Sequence, residues 1–156
     1  MDTEKLAYLS KGLFDTLKGL TENSAARWGV MNAQEMVEHL TMFFDVSYEK
    51  LKFPLSVPEE HLPKYKAFLW SDKQFRENTK APVNILSDVP MPLAEPTLDA
   101  ARNKLLQSVV NFSEYFKANP TNTTMHPAFG MLNFEEWVLL HFKHVKHHLN
   151  QFSLQH

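Results

Sequence analysis

Proline is crowded into the middle of this chain: seven of the nine prolines fall within residues 51–96. Proline removes a backbone donor and clashes with the preceding helical turn, so this stretch reads as an irregular connection with room for one short helix within 64–75. The whole chain holds only four glycines, and the segments on either side of the connection carry apolar residues at helical spacing. The constraint is therefore strong: helices before the connection and helices after it, joined by a long crossover.

Four helices are predicted. The first covers residues 3–20. The second begins after Asn32, whose side chain can cap the helix while Glu35 reaches back, and continues with Met36, Leu40, Phe43, Phe44 and Val46 as its apolar stripe. The third begins after Thr97 and ends near Ala118, with Leu98, Ala101, Leu105, Val109, Phe112 and Phe116 inward. A loop, NPTNTTMHPAFGML, then leads to Asn133 and Glu136, which repeat the capping signal for a fourth helix running to the end. Such a pattern predicts an all-α four-helix bundle with a long crossover between helices 2 and 3. Residues 1–156 form one domain, because the proline-rich middle lacks the periodic apolar residues for a core of its own.

Composition narrows the function classes. A formal net charge of −2 and the absence of a basic stripe argue against nucleic acid and against an anionic membrane surface. The first residues, MDTEKLAYLSKGL, have no apolar run of signal-peptide length, and no stretch is long and apolar enough to span a membrane. A cytoplasmic location is the expectation. With no cysteine in the chain, any metal site must use nitrogen and oxygen donors.

Four of the eight histidines lie between Trp137 and Phe152. At helical pitch, Phe134, Trp137, His141, His144, His148 and Phe152 share one stripe in steps of three and four, as core positions do. Glu135, Glu136, Lys143, Lys146, His147 and Asn150 fall on the other faces. His144 and His148 stand one turn apart, the local geometry of helical zinc sites. On the second helix, His39 falls on the inward stripe between Met36 and Phe43, so three imidazoles can meet inside the bundle. Neutral rings facing a dry core need partners, and a divalent ion supplies one for each lone pair. The competing reading is a solvated helix end where cations suit the macrodipole; His147, His156 and His61 fit that reading best. His141 can be a ligand, a neighbour that orients one, or a substrate contact. Glu35 and Glu38 flank His39 but point away from it, toward water.

The blocks RWGVMNAQEMVEHL (27–40) and HPAFGMLNFEEWVLLHFKHVKHHLNQF (126–152) resemble the two signature blocks of the DinB/YfiT-like superfamily, in one of its branches of unknown function. The resemblance rests on Trp-Gly-x-Met, His-Pro-x-Phe-Gly-x-Leu and His-x-x-His-His-x-x-Gln, and is weak in the middle of the chain. It implies a four-helix bundle with one divalent ion held by His39, His144 and His148, the trio that spacing already selects; three imidazoles accept most first-row divalent ions, so zinc, nickel, iron or manganese is the expectation. It also implies a small-thiol-dependent transferase or isomerase with a small thiol and an electrophile as substrates. Metal-assisted hydrolysis and a non-enzymatic, metal-stabilised dimeric bundle are the alternatives. His141 and His126 are candidates to take the proton from a thiol or water; His126 can equally serve only to order its turn with Pro127 and Phe129. Arg27 and Trp28 are candidates to guide an anionic thiol, Trp28 having packing as its plainer use. Because members of the superfamily often pair, Phe43, Phe44, Tyr115 and Phe116 are expected to serve a homodimer.

Overall fold

The computed structural model describes residues 1–77 and 91–154. It is mostly helical, with one small two-stranded sheet. Helix α1 consists of three consecutive segments, Thr3–Ala7, the π-turned Tyr8–Gly12 and Leu13–Leu17; α2 is Ala33–Ser47. A 3₁₀ turn, Glu59–His61, opens α3, Leu62–Trp70; α4 is Leu98–Ala118 and α5 is Phe134–Gln151. Strands β1 (Thr124–His126) and β2 (Gly130–Leu132) pair antiparallel between α4 and α5. No helix among the described residues is long and apolar enough to cross a membrane.

Local chemistry sets the ends. Asn32 accepts from the Glu35 amide while Glu35 bonds the Asn32 amide, and Asn133 with Glu136 repeats the arrangement. Thr97 caps α4 through the Ala100 amide at 3.1 Å. These three starts, the end of α4 at Ala118 and a short helix in the crossover match the sequence reading. The first helix stops at Leu17, earlier than expected, because tight turns from Gly19 to Thr16 and Leu20 to Leu17 carry Leu20 into the core. Its π turn was not foreseen. Gly12 permits it: a Cβ there would come within 2.5 Å of the Tyr8 ring.

One apolar core joins these elements. Leu9, Leu13 and Leu17 of α1, Met36, Leu40 and Phe44 of α2, Leu105 and Phe112 of α4 and Trp137 and Leu149 of α5 are almost completely removed from water. Each such side chain contributes about 1.5–3 kcal/mol of burial. Of the aromatics expected to serve a homodimer, Phe44 and Phe116 lie in this core, Phe43 is buried outside it, and Tyr115 is half-buried.

The hairpin replaces part of the predicted loop. Thr124 ties it down, its hydroxyl donating to the Ser47 carbonyl (2.8 Å) and accepting from Trp137 Nε1 (2.7 Å). The crossover lies on α5 rather than away from it. Lys143 Nζ donates to the Ser71 carbonyl at 2.7 Å and to the Lys73 carbonyl, and Glu136 pairs with Lys66 at 3.4 Å. Glu136, Lys143 and His147, expected on outward faces, are therefore buried. Periodicity assigned them to water; α3 and the chain up to Phe75 cover them. Residue His156, read as solvated, and residues 78–90 of the crossover lie outside the described residues.

Candidate metal centre

The capped start of α2 fixes the direction of His39, and that of α5 fixes His144 and His148. Their Nε2 atoms converge: His39 to His144 is 3.0 Å, and His148 to His144 is 3.1 Å. Within these residues one nitrogen from each ring lies within 4.8 Å of the others. Among the described residues this is the group of histidines and carboxylates that could hold a metal. Two nitrogens bound to one zinc-like ion at 2.0–2.1 Å stand about 2.9–3.4 Å apart for bond angles between square and tetrahedral. Both contacts fall in that range.

Protonation points the same way. Burial pushes His39 down to about 4, with the nearby His147 as a smaller influence. Burial likewise holds His144 and His148 well below the ordinary range, aided by the other rings of the cluster. All three rings are therefore neutral at pH 7. A single ring proton can be aimed along only one of the two short contacts at His144, leaving the other as facing lone pairs. A cation between the rings resolves that conflict.

The tautomer of His148 is fixed by a chain of partners. The Trp28 carbonyl can only accept, so it takes the Gln151 Nε2 amide at 2.9 Å. That turns Gln151 Oε1 toward His148 Nδ1 at 2.7 Å, which must then carry the proton. The Nε2 lone pair faces the trio. The Arg27 amide bonds the Gln151 carbonyl at 2.7 Å, and Gly29, at φ +81°, keeps clear of the amide that a Cβ would approach to 2.9 Å. The Arg-Trp-Gly triplet is thus a clasp on the end of α5. Sequence reasoning had Gln151 only as the last residue of a motif; its position three after His148 was the available signal.

The other candidates separate. His141 is not part of the trio. Its ring is stacked 3.8 Å from Phe44 and 5.2 Å from Trp137, it is 1% exposed, and its buried Nε2 has no hydrogen-bond partner. His126 accepts at Nδ1 from the Ala128 and Phe129 amides, 2.9 and 3.2 Å away, so it orders its turn and keeps its proton on Nε2. Burial pushes it down to about 3. Arg27 is exposed, pairs with Glu77 at 3.2 Å, and is not in the wall of the cavity. Trp28 is in that wall, 5.4 Å from the His147 ring. Glu35 is committed to its cap. Glu38, expected to be solvated, accepts from the Ala94 amide at 2.6 Å and from Gln34 at 3.0 Å, and anchors the far end of the crossover. His61 is exposed beside Tyr65, as expected.

The trio stands in the wall of a cavity of about 890 Å³. Phe43, Phe75, Phe129 and Trp28 are part of that wall, and His126 and His141 also border it. Three protein donors would leave coordination positions free on an ion held there.

A family profile described as "Protein of unknown function (DUF1569)" matches residues 3–155. No curated protein and no solved structure matches the chain.

Proposed function

The chain belongs to the DUF1569 family of proteins of unknown function, and from that premise we propose that it is a divalent-metal-dependent enzyme that activates a small thiol or water. The observation that carries this is the convergence of three neutral Nε2 atoms, 3.0 and 3.1 Å apart along two sides, on a large cavity. The resemblance to the DinB/YfiT-like superfamily supports a four-helix bundle of α1, α2, α4 and α5 and favours transfer of a small thiol to an electrophile, as transferase or isomerase. Hydrolysis is the second reading, since the same free positions admit water. A purely structural metal is disfavoured by a trio that faces open space. Pairing of two copies, if it belongs to this function, uses surfaces other than Phe43, Phe44 and Phe116, which are internal.

His39, His144 and His148 would hold the ion. Once bound there it supplies Lewis acidity, lowering the pKa of a thiol or water in the cavity. The remaining groups divide the work. His141 borders the cavity with a free Nε2 and would offer a hydrogen-bonding partner to one polar group of the substrate. His126, with Nδ1 already accepting two amides, offers an N–H to a substrate oxygen or sulfur. Gln151 holds the His148 lone pair toward the trio.

Elemental analysis of protein purified without chelator should find about one equivalent of zinc, nickel, iron or manganese per chain. His144→Ala or His39→Ala should remove it. Metal content unchanged by either substitution would exclude these ligands. Loaded protein should then consume a small thiol together with an epoxide or haloarene in a metal-dependent manner; ester hydrolysis without thiol consumption would select the second reading.

A further inference from the structure

We infer that the substrate seated over the trio is an uncharged molecule with an apolar body that presents one donor atom to His39, His144 and His148; this rests on the metal-site reading above and names its substrate class. Four observations converge on it. The cavity, about 890 Å³, is far larger than a metal and its waters need and lies in the range of small-molecule sites.

Its wall is dominated by rings and thioethers. Met42, Phe43, Tyr65, Phe75 and Phe129 belong to it, and Phe43 lies edge-on to both His39 and His144, 5.1 and 5.0 Å away.

The surface part of the wall is apolar as well. Val30 is 70% exposed, Met91 56% and Leu51 39%, and all three border the cavity. Large apolar side chains gathered at an opening and left to water are the mark of a binding surface for an apolar ligand.

Charge completes the argument. Among the described residues, the wall holds Glu35, Glu38, Asp45 and Glu95 against Lys104 as its one lysine or arginine. Asp45 is occupied by Tyr48 and Ser108, and Glu38 by the Ala94 amide. Arg27, the residue expected to draw in an anion, stands outside the wall on Glu77. A carboxylate or phosphate on the substrate would be desolvated here with no fork of donors to receive it, whereas an apolar body gains from every contact. The unpaired Nε2 of His141 provides for one polar group, not for a charge.

The test uses full-length protein loaded with cobalt(II), whose visible spectrum reports both metal binding and sulfur coordination. Two matched pairs are titrated: phenylmethanethiol against 4-(mercaptomethyl)benzoate, and hexanethiol against 6-mercaptohexanoate. The uncharged member of each pair should bind at least tenfold more tightly and bring in a sulfur-to-cobalt absorption. Val30→Lys, at an exposed position that leaves folding alone, should shift the ratio toward the carboxylated members. Equal or tighter binding of the carboxylates, no spectral response to any thiol, or a ratio unmoved by Val30→Lys overturns the inference. Failure to take up cobalt at all would be seen before any thiol is added, and would instead sink the metal site.

Discussion

Helices α4 and α5 are both long, both begin at side-chain caps, and both pack into the same core, but water treats them differently. On α4 the buried residues Leu98, Ala101, Leu105, Val109, Phe112 and Phe116 form one apolar stripe, Ser108 is the one buried polar residue and donates to Asp45, and Leu106 and Val110 on another side are exposed. On α5 nearly every side is covered, and the buried set includes Glu136, Lys143, His141, His147, His148 and Gln151. A helix can carry that much polarity inside only if its groups are answered one by one. Glu136 has Lys66 and the Asn133 amide, Lys143 has two carbonyls, and His148 has Gln151. What is left without a protein answer is His141 Nε2 and the facing lone pairs of the trio. The difference between the helices therefore locates the candidate site: the unanswered polar groups lie on α5 and not on α4.

Acid should break this contrast most forcefully. His126, behind α5, is held near 3 by burial, against an ordinary 6.5, and His141 lies well below that value. The folded rings stay neutral while unfolded ones gain protons, so this part of the stability is complete above about pH 6.5 and is lost progressively as pH falls toward 3. Each such histidine costs about 1.4 kcal/mol per pH unit in that window. Urea unfolding of chelated protein from pH 7 to 5 should show the loss, and a flat profile would contradict neutral burial. Next in size, Lys143→Ala should cost about 2–3 kcal/mol in the same assay, whereas Lys117→Ala on the exposed side of α4 should stay within about 0.5 kcal/mol. Equal effects would mean that the crossover does not cover α5 in solution.

Gln151→Leu should weaken metal binding by about 10–100-fold in a chelator competition, with Gln107→Leu on α4 as the silent control. An unchanged affinity would show that the clasp does not orient His148. Smallest of all, His141→Phe should leave the melting temperature of metal-free protein unchanged or raise it by a few degrees, because it removes a buried polar atom that nothing satisfies. A large drop would mean that Nε2 has a partner.

The two helices also mark how far the sequence could be read. On α4, cap, stripe and end were all legible, because its outer side meets water and the 3.6-residue period is undisturbed. On α5 the same period found the trio, since His144 and His148 share a face whatever covers the rest. It misplaced Glu136, Lys143 and His147, because no periodicity records that an irregular, proline-rich segment will lie on top. The hairpin escaped for a related reason: three-residue strands are too short to show alternation. The π turn in α1 depends on one Tyr8–Gly12 contact that spacing does not express. Arg27 and Trp28 were noticed as a pair of binding types, but their service to Gln151 runs largely through backbone groups, which side-chain identity does not reveal.

The matching caps on α2 and α5 have one more consequence. Asn32 and Asn133 start their helices with nearly identical backbone angles, φ −82° and ψ near 180°. His39 stands seven residues beyond its cap, and His144 and His148 stand eleven and fifteen beyond theirs. At about 100° per residue, each imidazole comes within roughly 60° of its cap's own azimuth. The caps are therefore clocks as well as anchors. One residue inserted between a cap and its first histidine would swing the ring about a quarter turn around the axis, dispersing the donors while both helices remained intact.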